Sequence, residues 1–334
     1  MPSRLLREVP RPGRGGQGRR LPRLSPWRPI SLVRPHCQHE GLMSALLDSA
    51  GLRACMDLPT VELHAELGST MDRARELAAH PGLPLPALVV AERQLAGRGR
   101  RAAGWWQPPG SLAMTLVLGF EQVPAAAGRI APLPLWSPAC GLAVAEAIAR
   151  LRPELSPQVR WPNDVELRGR KLAGVLVEAT TAGHLLIGIG INTTGSAAAA
   201  PAAIADRLTT LVDATGKPLA REPLLTVLIP ELLQAIAAAA EPCRRDDLIG
   251  RYRRRCSLTG SRVSLHGVMA EPLSGTSTVS TPVQMALLTG VCRGIDRQGR
   301  LVVESAAGRL AVVSGSLTPP DRVWSGPISA AAAD

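Results

Sequence analysis

The stretch Gln94-Leu95-Ala96-Gly97-Arg98-Gly99-Arg100-Arg101-Ala102-Ala103-Gly104-Trp105 follows directly on an apolar, β-branched run, Ala87 to Ala91. A strand that runs into a Gly/Arg loop is suited to holding an anion. Gly97 and Gly99 let the backbone turn its N–H groups toward a ligand with no Cβ in the way. Arg98, Arg100 and Arg101 add guanidiniums that pair with carboxylate or phosphate oxygens. The Gly-Lys-Ser/Thr ending of a Walker loop is missing, so the loop is not of that kind. Taken alone, it fits a solvated basic loop or an RNA-contacting patch equally well.

A second stretch favours the anion site. Arg160-Trp161-Pro162-Asn163-Asp164 is followed by Lys171-Leu172-Ala173-Gly174-Val175-Leu176-Val177-Glu178. Pro162 fixes a turn at a strand end and presents Asn163 and Asp164 in a loop. Lys171 begins the next apolar strand, so its ammonium lies at the sheet rim, where it can meet a phosphate. The chain holds 36 Arg but only two Lys, Lys171 and Lys217, and only two Asn, Asn163 and Asn192. Ordinary surface positions have drifted to Arg, Gln or Ser. Retained Lys and Asn therefore mark positions that need that chemistry, and three of the four fall between 163 and 192.

The rest of the composition removes other classes. The net charge is +11, but residues 1–36 carry nine Arg and one Glu, leaving +3 for the remainder. With one Phe and one Tyr there is no base-stacking platform. The six cysteines, Cys37, Cys55, Cys140, Cys243, Cys256 and Cys292, include no CxxC pair, which predicts reduced thiols in a cytoplasmic protein. His36, Cys37 and His39 have no second half of a metal site, and no metal ligands are assigned. The apolar stretch Leu224 to Ala240 contains Pro230, Glu231 and Gln234 and reads as a core helix, so no membrane partner is expected.

Along the chain, residues 1–42 are rich in Arg, Pro and Gly and are expected to be disordered, with Met43 as a candidate start of translation. The body alternates strands (61–65, 87–91, 111–119, 159–161, 172–179, 185–191) with helices capped at Ser69 or Thr70 and over 135–150, 222–240 and 244–255. Gly183 marks a hairpin turn. The segment 197–205 reads as a low-complexity loop. From about residue 257 to 318 the pattern becomes short strands with Gly turns, a small all-β module, and residues 319–334 form a tail.

These motifs resemble the biotin protein ligase family. The matching stretches are Gly68-Ser69-Thr70, Val89 to Arg101, Arg160 to Asp164, Lys171 to Glu178, Gly188 to Asn192 and Gly294 to Gly299, covering about residues 60 to 317 in the family's order. The resemblance implies an α+β fold. Its catalytic domain (58–256) is a central mixed β-sheet of the biotin/lipoate ligase type, like class II aminoacyl-tRNA synthetases, followed by an SH3-like barrel. It implies that biotin and ATP, with Mg²⁺, give biotinyl-5′-adenylate, and that a lysine of a biotin carboxyl carrier domain then takes the biotinyl group. The partner supplies the nucleophile, which accounts for the lack of an internal Ser–His or Cys–His pair.

Carried over by position, Ser69, Thr70, Met71 and Gln94 would line the ureido ring of biotin. The backbone of Arg98, Gly99 and Arg100 would grip the carboxylate and later the phosphate. Lys171 would neutralise charge at the reacting oxygens, with Arg98 and Asp164 beside it. Trp105 would pack on adenine, and Gly190 would let the pocket wall approach biotin. Arg100, Arg101, Asn163, Asp164, Asn192 and Arg293 complete the expected ATP contacts.

The sequence departs from the family in three places. Met71 stands where the family has Asn, Ala102 where it has Gly, and residues 269–285 look like an inserted exposed loop. Residues 1–58 show no two-helix DNA-binding pattern, so a monofunctional ligase without specific DNA binding is expected, as monomer or homodimer. The alternatives are a lipoate or octanoate ligase, disfavoured by Gln94 and the Ser/Thr pair, and a non-catalytic RNA-binding protein, which leaves Lys171, Asn163 and Asn192 without a role.

Overall fold

A computed structural model of the chain describes residues 49–123, 134–273 and 282–318. The expectations for residues 1–42, for Met43 as a start, for His36, Cys37 and His39, and for the 319–334 tail lie outside these. The chain order is α1 (Ser49–Met56), β1 (Thr60–Leu67), α2 (Thr70–Ala78), β2 (Ala87–Gln94), β3 (Leu112–Gly119), α3 (Trp136–Leu151), β4 (Gln158–Arg160), β5 (Asp164–Leu167), β6 (Arg170–Ala179) and β7 (His184–Ile191). Two short helices follow, α4 (Ala202–Ala205) and α5 (Leu211–Thr215), then α6 (Arg221–Ala240) and α7 (Arg245–Arg255). The chain then forms β8 (Arg262–Pro272), β9 (Val283–Ile295), β10 (Leu301–Ser305) and β11 (Gly308–Thr318).

The first seven strands form one sheet in the order β1-β2-β3-β7-β6-β5-β4. Only β1 and β2 run parallel, so the sheet is mixed, as expected. Side chains alternate between its faces. Leu185, Ile187, Ile189 and Ile191 of β7 join the core beneath α3 and α6, while Leu186, Gly188 and Gly190 face the other way. Trp136, Leu142 and Ile148 of α3 and Leu224, Leu228 and Leu232 of α6 fill that core. Truncating one such buried Leu to Ala costs about 2–5 kcal/mol. By length and composition α6 could cross a membrane, but its apolar side is packed in this core, and Pro230 sits inside it without ending it. Helix α1 lies outside the expected 58–256 domain, yet its Leu52 and Met56 are buried in the same core.

The last four strands close into a barrel, β10-β11-β8-β9. The expected loop over 269–285 is shorter than its sequence suggested. β8 and β9 extend into it, with Ala270 paired to Val283 and Val268 to Met285. Its Ser, Thr and Pro content masked strands whose hydrogen bonds come from the backbone. The barrel docks on the sheet: Trp161 Nε1 donates to Gly299 O at 3.0 Å, and a Cβ on Gly299 would lie 2.5 Å from Leu135 Cα.

Candidate active site

One cross-strand row on the face away from α3 and α6 builds the floor of the site. Ala91 pairs with Ala113, Ala113 with Gly190, Gly190 with Gly174, Gly174 with Asp164, and Asp164 with Arg160. Four small residues on four strands thus make a trench that ends at an acid and a base. The next row runs Val89, Thr115, Gly188 and Leu176. Gly188 admits the Met71 side chain, since a Cβ there would meet Met71 Sδ at 2.6 Å. Gly190 and Gly174 admit the Trp105 indole, with Cβ positions 2.5 Å from Cε2 and 3.0 Å from Cζ3 respectively. Gly190, expected from the sequence to let the pocket wall approach a ligand, leaves the room that Trp105 occupies here.

The Arg loop is a small hairpin over the trench. Trp105 N donates to Gly97 O at 2.8 Å, and Gly99 N donates to Ala103 O at 2.7 Å. Its tip is a short 3₁₀ turn, Arg100–Ala102, in which Arg101 takes the left-handed conformation at φ 56°. The three arginines diverge. Arg98 pairs with Asp72 of α2 at 3.0 Å. Arg100 Nη1 donates to Asn163 Oδ1 at 3.5 Å. Burial and the neighbouring Arg101 charge lower the Arg100 pKa from its usual value, and Asp164 opposes the shift. Arg101 leaves the trench: Nη1 donates to Ser316 Oγ on the barrel at 2.6 Å. Arg101, expected at ATP from the sequence, is thus held against the barrel in this structure.

At the other rim Lys171 Nζ lies 2.8 Å from Asp164 Oδ1 and 5.3 Å from the Trp105 ring centroid, a cation–π distance. Asp164 is the first residue of β5 and not a loop residue; only Trp161 to Asn163 make the turn. Asn163 Nδ2 donates to Val175 O at 3.0 Å, which ties that turn to β6. Asn192 is fully buried and braces the floor, its Nδ2 donating to Thr209 O at 3.1 Å. Arg293 does not join this group. It sits in the barrel with its Nε donating to Glu304 Oε2 at 2.6 Å.

The closed end of the trench is polar. Ser69 caps α2, its oxygen accepting from Met71 N at 3.3 Å. Thr70 N and Thr70 Oγ1 both donate to Gln94 Oε1, at 2.9 and 3.1 Å. Met71, placed at the ureido ring by its sequence position, packs with Leu77, Val117 and Leu186 in a separate apolar cluster. Two polar residues were missed. Gln107 accepts from Gln94 N at 3.2 Å, and Thr115 pairs with Thr70 at 3.0 Å. Thr115 had a signal, being the one hydroxyl inside the apolar run Leu112 to Leu118. Gln107 had none.

Among the described residues no three His, Cys, Asp or Glu gather as a metal site. A cleft of about 170 Å³ between sheet and barrel, lined by Arg100, Trp161, Pro162, Val177 and Val313, continues from the site. A larger cavity of about 770 Å³, lined by Arg168, Arg251, Arg254 and Arg255, shares none of its residues.

A mixed sheet carrying a Gly/Arg hairpin and a rim lysine makes an anion-holding site of the kind an enzyme uses. Residues 65–192 match the model of the Biotin/lipoate A/B protein ligase family. The biotin–[acetyl-CoA-carboxylase] ligase of Paracoccus denitrificans is 31% identical over 256 residues, 74% of this chain and 95% of that protein. The corresponding ligase of Mycobacterium tuberculosis is 32% identical, covering 76% of this chain and 86% of that protein. The biotin protein ligase of Aquifex aeolicus, solved with biotin and ATP, superposes with a TM-score of 0.62 at 25% identity, over 78% of this chain and 98% of that one. The chain belongs to the biotin protein ligase family.

Proposed function

We propose that the chain activates biotin with ATP and transfers the biotinyl group to a lysine of a biotin carboxyl carrier domain. The observation that carries this reading is the small-residue trench. It is closed by a Gln/Thr network at one end and by Lys171, Trp105 and Asp164 at the other, under a hairpin rich in backbone donors.

In the first step a carboxylate oxygen of biotin attacks the α-phosphorus of ATP, the bond to the β-phosphate breaks, and pyrophosphate leaves. Two anions must meet against their repulsion, so preorganised positive charge and N–H donors are what the step needs. Lys171 supplies charge at the reacting oxygens. The loop backbone at Arg98 and Arg100 would supply donors, with Gly99, whose own N–H is held by Ala103 O, keeping the turn tight, and Arg100 adds its guanidinium. Trp105 would stack on adenine, while Asn163, Asp164 and Asn192 hold the nucleotide end. Mg²⁺ arrives with ATP as part of the substrate. A lone Asp164 fits an ion that keeps waters and phosphate oxygens as its other ligands. In the second step the carrier lysine nitrogen attacks the acyl carbon, AMP leaves, and the amine proton passes to solvent.

Gln94 and Thr70 favour the ureido ring of biotin over the plain chain of a lipoyl or octanoyl group. The unpaired thiols Cys140, Cys243, Cys256 and Cys292 support a cytoplasmic setting. The reading carries no operator binding. Tight sequence-specific retention of its own upstream DNA in a gel shift at physiological salt would overturn that part.

The deciding experiment is pyrophosphate release from ATP with biotin or with lipoate. Biotin-dependent release is expected. Release with lipoate alone, or with neither acid, sinks the proposal.

A further inference from the structure

The cavity of about 770 Å³ lies apart from the trench and takes its lining from four parts of the chain. Helix α3 gives Glu146, and the segment leading into β4 gives Ser156 and Gln158. The turn between β5 and β6 gives Arg168, and the end of α7 gives Arg251, Arg254 and Arg255. The three α7 arginines stand at i, i+3 and i+4, so they share one helix face. Arg253, between them, turns to the barrel, its Nη2 donating to Ile295 O at 3.1 Å. Arg168 and Gly169 form the two-residue turn that joins β5 to β6, with φ of 53° and 75°, which sets Arg168 at the hairpin tip.

The charges in this hollow do not cancel. Glu146 is taken up by Arg251, whose Nε donates to Oε1 at 3.2 Å and whose Nη2 donates to Oε2. Asp247, one turn back on α7, faces the same guanidinium at 3.8 Å. Arg255 donates to the neutral carbonyl of Pro157 at 3.4 Å, which leaves its charge unmatched. Arg168 and Arg254 have neither a carboxylate nor a hydrogen-bond partner among the described residues. Arginines elsewhere find acids: Arg75 meets Asp72 and Glu178, and Arg297 meets Asp246.

Basic residues in the last turn of α7 complement the helix dipole, which accounts for Arg254 and Arg255. It does not account for Arg168, which a different element brings to the same hollow. The lining carboxylate is already engaged, so what faces the space is a set of donors: guanidiniums, the Ser156 hydroxyl and the Gln158 amide. Donors converging from several sides suit an anion with several charged oxygens. The volume lies within the range of small-ligand sites, roughly 300–1,000 Å³. No lining residue is aromatic, so nucleic-acid bases would find no stacking surface.

We propose that this hollow binds a small, multiply charged phosphate anion, at a site separate from the trench. The convergence of Arg168 with the α7 arginines, without acids to match them, is the observation that carries it.

The test titrates the full chain with inorganic tripolyphosphate by calorimetry, at an ionic strength of about 0.15 M so that loose surface attraction is screened. Saturable binding with a submillimolar Kd is expected. Arg168→Asn, which suits the left-handed turn, and Arg254→Gln are each expected to weaken it at least about tenfold. Their thermal midpoints and biotin-dependent pyrophosphate release should stay near those of the wild type. Lys171→Ala is expected to keep the binding, since that residue belongs to the trench. The two arginine variants lie on separate elements, so either carries the test should the other fail to fold. Binding that is unchanged in the arginine variants, or that disappears in Lys171→Ala, puts the anion in the trench and overturns the proposal. So does the absence of saturable tripolyphosphate binding, and so does a single-stranded oligonucleotide that binds more tightly than tripolyphosphate through the same arginines.

Discussion

Arg101 of the hairpin tip and Ser316 of β11 are joined by a hydrogen bond of 2.6 Å, with a second, longer bond of 3.5 Å from Arg101 to Gly315 O. The barrel therefore holds the loop that covers the trench. Arg101 also adopts a left-handed backbone, which costs a non-Gly residue roughly 1 kcal/mol and persists only where the surroundings hold it.

Arg101→Ala and Ser316→Ala should each free the hairpin tip. We expect faster tryptic cleavage between Gly97 and Trp105, and a KM for ATP or biotin raised about three- to tenfold, with a thermal midpoint near that of the wild type. The double variant should be no worse than the worse single one, because the two groups share one contact. Additive losses would show that the residues act separately.

Lys171→Ala should remove pyrophosphate release. The lost charge contact costs about 2–4 kcal/mol of transition-state stabilisation, or roughly thirty- to a thousandfold in kcat. The variant also leaves Asp164 without the ammonium 2.8 Å away. Activity within a fewfold of wild type would take Lys171 out of the chemistry.

Gly190→Ala should displace Trp105, because the new methyl would lie 2.5 Å from its ring. Trp105 sits on a loop and can yield, so folding should survive and turnover should fall. In a Trp105→Ala background the same change should cost much less. That non-additivity, read from the four kcat/KM values, checks the contact; equal costs in both backgrounds would refute it.

Glu62 fastens α2, and with it Thr70, to β1. Arg73 donates Nε and Nη2 to its two carboxylate oxygens at 2.8 and 2.9 Å. Those bonds hold the Glu62 carboxyl below its ordinary pKa of 4.5, against burial, which raises it, and with help from His64. A depressed folded-state pKa stabilises the fold above the unfolded-state value and loses that contribution as the pH falls through the folded one. Glu62→Gln should therefore cost about 1–2 kcal/mol at neutral pH. Melting curves of the two proteins should converge in acid. A gap that stays constant down to acid pH would assign the effect to packing.

The strand and helix plan was legible because apolar periodicity reports burial directly. The long helix was expected over 135–150 and is Trp136–Leu151. Gly183 turns β6 into β7 with φ at 84°. What stayed hidden depends on pairing. Strand β5 has only four residues between Asn163 and Arg168, too short to show a period, so Asp164 read as a loop residue. The partnership of Ala91, Ala113, Gly190 and Gly174 exists only once four strands are in register. The contact of Arg101 with Ser316 was hidden because composition does not reveal which loop residue takes the left-handed turn. Met71 read as a broken motif, although Gly188 leaves the space it fills.

The row of two alanines and two glycines has a consequence for how such a site can change. The residues one step along each strand, Val90, Leu112 or Met114, Ile189 or Ile191, and Val175, all belong to the apolar core. A one-position slip that brought any of these up into the trench would fill it. The pocket is thus written into the hydrogen-bond ladder as much as into its side chains. An insertion or deletion within β2, β3, β6 or β7 would therefore break this row of small residues in one step.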